Sequence, residues 1–162
     1  MVTEIINIYT DGSCHTQHCA GAWVCIIFIN GEKIILSDIE YNTTHNRMEL
    51  LGVIKALKYI RNNYTPKLIR ITTDSQYVTG LQAREAKFID HHYTTKKGTP
   101  ISNADLVKEL LELILVLPVE FIKIKAHQKK NAIVNYNIEA DFLSRYMVRQ
   151  VVQNAPCLPA GN

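Results

Sequence analysis

Ile5-Ile6-Asn7-Ile8-Tyr9-Thr10-Asp11-Gly12-Ser13 is the stretch on which the reading of this chain turns. β-branched and aromatic residues dominate it up to Thr10, the composition of a strand inside a sheet. A carboxylate, a glycine and a serine follow. The strand is therefore expected to stop at Asp11, turn at Gly12 and open the next segment at Ser13. A carboxylate at the end of a central strand adds little to packing. It is well placed to hold a hard cation or to polarise a substrate.

Outward from that stretch, residues 20–29 read as a second strand. Asn30-Gly31 is a two-residue hairpin signal, and residues 32–39 return antiparallel. Between the first two strands a polar turn is expected at 12–18. From Asn46 to Asn63 apolar residues recur at helical spacing, with Thr43 or Thr44 as cap and Pro66 in the loop beyond. Residues 68–73 form a fourth strand that ends, like the first, at a carboxylate, Asp74. A short helix over 75–83 precedes an exposed loop or irregular helical excursion at 84–100. Ser102 or Asn103 caps a helix to about Leu117, which Pro118 ends. Residues 119–125 give a fifth strand, 126–135 a polar loop, and 137–152 a last helix.

The order predicts an α/β fold, a five-stranded mixed sheet. A three-stranded antiparallel meander joins two parallel strands, with helices on both faces. Residues 1–153 are expected to form a single domain, with 154–162 a loose tail. In such sheets ligands bind beyond the carboxyl ends of the parallel strands, so Asp11 and Asp74 are predicted neighbours.

Bulk properties narrow the class. The chain has 162 residues, 47% hydrophobic and 20% charged, which suits one globular core and excludes a disordered chain. No apolar run reaches the roughly 20 residues that span a bilayer, and no basic-then-apolar leader is present, so a cytoplasmic protein without membrane contact is expected. The net charge of +3 permits a nucleic-acid partner without requiring one. Cys14, Cys19, Cys25 and Cys157 are read as reduced thiols. Cys14-His15-Thr16-Gln17-His18-Cys19 has the residue types of a zinc site. Its adjacent pairs would strain a tetrahedron, so a polar turn is expected instead.

Two further acids are candidates for the same site: Glu49 early in the first long helix and Asp141 early in the last. Four like charges in one place repel one another and raise each other's pKa unless a cation neutralises them. Hard divalent ions do so, Mg²⁺ above all, and two such ions clamp a phosphodiester for in-line attack by water. His127, on the polar loop after the fifth strand, is the candidate for moving the leaving-group proton.

At these residues the sequence resembles ribonuclease H of type 1. The motifs are Tyr9-Thr10-Asp11-Gly12-Ser13, Asn46-Arg47-Met48-Glu49-Leu50, Thr73-Asp74-Ser75-Gln76-Tyr77-Val78, Lys125-Ala126-His127, and Asn137 with Ala140-Asp141. They follow the family's order across nearly the whole chain. The resemblance implies an endonuclease that cuts the RNA strand of an RNA–DNA hybrid, leaving 5′-phosphate and 3′-hydroxyl ends. It implies Asp11, Glu49, Asp74 and Asp141 as ligands for two Mg²⁺, with Mn²⁺ a substitute, and His127 as the mobile histidine. It also implies substrate contacts from Asn46 and Gln76 in the hybrid's minor groove and from Thr44 on a DNA phosphate. The backbone around Gly12, Ser13 and Cys14 would meet the RNA. Only RNA offers 2′-hydroxyls for such groups to read.

The chain departs from the family in places. The turn after Asp11 lacks the usual Gly- and Asn-rich stretch. His45 stands where a second Asn is common, and it can still reach a 2′-hydroxyl. The 84–100 excursion lacks the tryptophans and the strong basic run of bacterial relatives. The loop from His127 to Asp141 is longer, and its Lys129 and Lys130 are candidates for gripping the nucleic-acid backbone. Two other functions share these features: a hybrid-binding module without turnover, and a nuclease acting on DNA. A stand-alone monomeric enzyme is expected, with a domain excised from a reverse transcriptase as the alternative.

Overall fold

The computed structural model of the protein describes residues 2–124 and 135–154. Strand β1 (Val2–His15) pairs antiparallel with β2 (Ala20–Ile29), which pairs antiparallel with β3 (Glu32–Tyr41). Helix α1 (His45–Asn63) crosses over to β4 (Thr65–Thr73), which lies parallel to β1. Short helices α2 (Gln76–Thr79) and α3 (Glu85–Asp90) flank a 3₁₀ turn at Gln82–Arg84. Helix α4 (Ala104–Val116) leads to β5 (Val119–Lys123), parallel to β4, and α5 (Tyr136–Asn154) follows. The sheet order is β3-β2-β1-β4-β5, the mixed sheet expected from the sequence.

Alternation along the strands decides what each face buries. Ile6 and Ile8 of β1 point with Trp23, Cys25 and Ile27 of β2 into the larger core, against Leu50, Ile54 and Leu57 of α1 and Leu110 of α4. Val24 and Ile26 point the other way, and Ala140, Leu143 and Met147 of α5 cover them with Tyr9 and Phe28. The sheet is thus sandwiched, α1 and α4 on one face and α5 on the other. Asn30 and Gly31 both have positive φ, 51° and 79°, as the tight hairpin turn requires.

The structure corrects several boundaries. β1 does not stop at Asp11. It stays paired with β2 as far as His15 with Ala20, so the turn shrinks to residues 16–19 and Asp11, Gly12 and Ser13 are strand residues. Pro66 is not in a loop but near the start of β4. The proline is tolerated because β5 joins β4 only from Ile69 onward, leaving that end unpaired on one side. Helix α2 is one turn long, shorter than the 75–83 helix expected, and of the two readings of 84–100 the helical one fits Glu85–Asp90, which form α3. Phe88 stacks on Tyr93, and Lys108 of α4 lies over Tyr93, which pins the excursion to the body. Asn103 sits at the cap position of α4 with φ 58°, but its side chain makes no capping bond. It reaches across to Tyr77 and Arg47 instead.

In the His-rich turn, Cys14 Sγ faces the carbonyl of Thr43 and Cys19 Sγ that of Thr16. Cys14, Cys19 and Cys25 are free thiols, while Cys157 and the rest of 155–162 lie outside the described residues. No described helix is long and apolar enough to cross a membrane.

Candidate active site

The parallel ladder between β1 and β4 ends at Tyr9 with Thr72. Continued by two residues, that register sets Asp11 opposite Asp74. Beyond the ladder β4 leaves the sheet: Ser75 Oγ accepts a hydrogen bond from Val78 N at 3.2 Å and caps α2. Thr73, fully buried, holds the turn by accepting from Ser75 N at 3.1 Å. A gap opens where the strands part, and Asp11 and Asp74 border it.

Glu49 enters the gap from α1. A Cβ on Gly12 would lie 2.7 Å from Glu49 N and 2.7 Å from the Met48 carbonyl carbon. The glycine is there for close approach, not for a turn: without a side chain at 12, the first turn of α1 rests on β1. Thr44 fixes the start of that helix, its Oγ1 accepting from Arg47 N at 3.3 Å. Arg47 then pairs with Asp105 at 3.0 Å through both terminal nitrogens, tying α1 to α4. Within Asn46-Arg47-Met48-Glu49-Leu50 each side chain has its own role. Met48 and Leu50 are core, Arg47 is a tie, and Asn46 and Glu49 face the cavity.

One carboxylate oxygen from each of Asp11, Glu49 and Asp74 lies within 4.8 Å of the others. Asp11 is 6% exposed and Glu49 only 2%. Burial first, then repulsion from Asp74 and Asp141, pushes the Asp11 carboxyl up to about 7, although a hydrogen bond from Ser144 pulls it down. Burial first, then repulsion from Asp11 and Asp74, pushes Glu49 up to about 9. Glu49 Oε1 faces His45 Nε2 at 3.3 Å, but its buried Oε2 has no hydrogen-bond partner. Oxygen-only donors, mutual repulsion and an orphaned buried oxygen together fit a hard divalent cation. Asp11, Glu49 and Asp74 are the residues that would hold it.

Asp141 reaches the site from the opposite face of the sheet, on α5, and lines the same cavity of about 610 Å³. Its carboxylate is not gathered with the other three. Oδ1 accepts from Arg145 Nε at 2.7 Å, one helical turn on. Asn137, on the preceding turn, donates to the Thr72 carbonyl at 3.4 Å and so docks the start of α5 on the end of β4.

Of the other residues singled out in the sequence, Gly12, Ser13, His45, Asn46 and Gln76 line this cavity. Thr44 and Cys14 do not; Thr44 spends its hydroxyl on the helix cap and Cys14 faces Thr43. His127, Lys129 and Lys130 lie outside the described residues. Sequence reasoning missed Ser144 and Arg145. The signal was available, because positions three and four residues after Asp141 share its helix face. Ser144 is fully buried, and its hydroxyl donates to Asp11 Oδ2 at 2.9 Å.

Comparison with known proteins gives the family and the fold. The family model for RNase H matches residues 3–149. The Ribonuclease H of Thermoanaerobacter sp. (strain X514) is 32% identical over 155 residues, covering 94% of this chain and 96% of that protein. The Ribonuclease H of Caldicellulosiruptor saccharolyticus is 34% identical over 148 residues, covering 90% and 97%. Among solved structures, LC9-RNase H1, a type 1 RNase H with the type 2 active-site motif, superposes with a TM-score of 0.74 at 23% identity. That match covers 90% of this chain and 72% of the other, and shows a shared fold. With a family match along nearly its whole length and relatives of like length above 30% identity, the chain belongs to the RNase H family.

Proposed function

We propose that this protein is an endonuclease that hydrolyses the RNA strand of RNA–DNA hybrids with two Mg²⁺ ions, leaving 5′-phosphate and 3′-hydroxyl ends. The observation that carries this reading is the carboxylate cluster of Asp11, Glu49 and Asp74, with an unpartnered Glu49 oxygen, at the wall of an open cavity. Divalent cations bound there supply charge neutralisation at the scissile phosphate and a lowered pKa for the attacking water. The chain's residues do the rest. Asp11, Glu49 and Asp74 would hold the cations, and Asp141, now paired with Arg145, is the carboxylate available as a fourth ligand. The burial of Asp11 and Glu49 strengthens the charge interactions they make.

Substrate choice belongs to the polar rim. Asn46, Gln76 and His45 line the same cavity as the carboxylates, and their amide and imidazole groups are the kind that would read the 2′-hydroxyls of a hybrid minor groove. An all-DNA duplex has no such hydroxyls. His127 carries the leaving-group proton in this scheme, and Lys129 and Lys130 hold the backbone. Those three assignments rest on the sequence motif. The working unit is a monomer formed by residues 1–153.

The test is cleavage of an end-labelled RNA–DNA hybrid with Mg²⁺, with Mn²⁺ and with neither. The expected result is RNA-strand cuts only with metal, and none in the all-DNA duplex of the same sequence. Hybrid binding without turnover in either metal, or equal cutting of the DNA duplex, overturns the proposal.

A further inference from the structure

Ser144 lies between two elements that approach the cation site from different directions. Its Oγ is 2.9 Å from Asp11 Oδ2 on β1, 2.9 Å from Ser13 Oγ on the same strand, and 3.1 Å from the Asp141 carbonyl within α5. The side chain is fully buried. A hydroxyl has one proton to give and two lone pairs to accept with. An ionised Asp11 can only accept, and a bond to a charged oxygen is stronger than one to a helix carbonyl. The proton of Ser144 therefore goes to Asp11. Its own oxygen accepts the proton of Ser13. With Asp11 ionised, as a cation ligand must be, the relay runs from Ser13 to Ser144 to Asp11.

We propose that Ser144 is a positioning residue, which through this relay fixes the Asp11 carboxylate for cation binding and locks the helix carrying Asp141 to the strand carrying Asp11. A carboxylate tethered at Oδ2 presents its other oxygen in one direction, so no rotamer has to be frozen when the cation arrives. Asp141 stands one turn before Ser144, so the bond that orients Asp11 also sets how far the α5 backbone at Asp141 lies from the Asp11 carboxylate. A hydroxyl outside the ligand set that orients a ligating carboxylate acts on metal affinity before it acts on chemistry.

The inference rests on the cation-binding reading of the site, and the test separates the two. Mg²⁺ binding is measured by calorimetry on protein without nucleic acid, beside the Mg²⁺ dependence of hybrid cleavage, for wild type, Ser144→Ala and Ser13→Ala. Loss of an orienting partner weakens affinity by about tenfold, so Ser144→Ala should raise both the dissociation constant and the half-saturating Mg²⁺ by that factor. The loss should be recovered largely at saturating Mg²⁺. Ser13→Ala leaves Ser144 in place and should shift both in the same direction by a smaller factor, which keeps the test decisive if Ser144→Ala does not fold. Wild-type affinity in both variants overturns the inference, as does a fall in cleavage that saturating Mg²⁺ does not recover. If Ser144→Ala weakens Mg²⁺ binding while wild type leaves the hybrid intact, the functional reading fails and the positioning role stands.

Discussion

Asp11 and Asp74 stand at matching positions, each two residues past the last parallel pair of β1 and β4, Tyr9 with Thr72. The register that packs Ile6, Ile8, Ile69 and Ile71 into the core therefore also brings two like charges together. Such a pair opposes folding unless a cation is bound. Asp11→Asn should remove the repulsion and keep the shape. Losing a cation ligand costs several kcal/mol of transition-state stabilisation, so hybrid cleavage should fall about a thousandfold or more. Without metal, the Asp11→Asn variant should at the same time melt several degrees higher than wild type, as expected when a strained functional group is relieved. Cleavage assays and thermal melts in chelator check both. A variant that is inactive and less stable than wild type would contradict this account.

Burial of the two carboxyls, with the same repulsion added, makes metal-free stability depend on pH. Asp11 rises from its ordinary 3.8 to about 7 and Glu49 from 4.5 to about 9, both chiefly through burial. Between those limits the folded state keeps protons that the unfolded state has released. Stability therefore falls as pH rises, from about pH 4 through about 9. Each pKa unit corresponds to about 1.4 kcal/mol, so even one of these groups is enough to make the decline measurable. Denaturant melts in chelator between pH 5 and 9 should show the decline. Saturating Mg²⁺ should flatten it, because the bound cation takes over the role of the protons. A metal-free protein equally stable at pH 5 and pH 8.5 would rule this out.

Gly12 is the point at which helix α1 touches the central strand. A methyl group there would meet the backbone of Met48 and Glu49 at 2.7 Å, which neither side can yield cheaply. Gly12→Ala should cost about 1–3 kcal/mol in stability, the range for overpacking. It should also push Glu49 away from Asp11 and Asp74, so Mg²⁺ affinity falls along with stability. Gly31→Ala is the control. Its site is open space, and its positive φ alone costs about 1 kcal/mol without touching the cation site. Calorimetry with Mg²⁺ on both variants separates strain from site damage.

The sheet was legible from the chain because apolar period, turn residues and crossover lengths all agreed. Its long first strand was not. Asp11-Gly12-Ser13 has the composition of a turn, yet the ladder to β2 overrides it as far as His15. Local chemistry there loses to a tertiary need: the gap in the sheet is made by β4 leaving, not by β1 ending. The three clustered carboxylates were readable because the apolar run before Asp11, the end of the strand before Asp74 and the start of the helix carrying Glu49 are positions a pattern can locate. The state of Asp141 was not. Whether a carboxylate faces a cation cluster or an arginine one turn later is a rotamer choice, and both outcomes are written by the same helical spacing. Spacing places Ser144 on the helix face of Asp141, but its bond to Asp11 could not be read from spacing. A serine at a buried helix position reads as packing until the residue opposite it is known.

Arg145 holds Asp141 away from the cluster with a 2.7 Å bond, and both side chains are close to half exposed, 49% and 41%. A pair this exposed is worth about 0.3–0.5 kcal/mol, roughly a factor of two in an equilibrium constant. A cation has to displace the guanidinium to gain its fourth ligand, and it must also do so next to a positive charge. Arg145→Ala removes both obstacles. Calorimetry on the protein alone should show Mg²⁺ bound about two- to fivefold more tightly than by wild type, with unfolding free energy changed by less than about 0.5 kcal/mol. The gain should shrink at high ionic strength, where the repulsion is screened. Weaker Mg²⁺ binding in Arg145→Ala would mean that the guanidinium orients Asp141 for the cation instead of competing with it. The two neighbours on α5 are thus expected to act in opposite senses: loss of Ser144 loosens the cation, and loss of Arg145 tightens it. A helix that merely packed against the sheet would give neither sign.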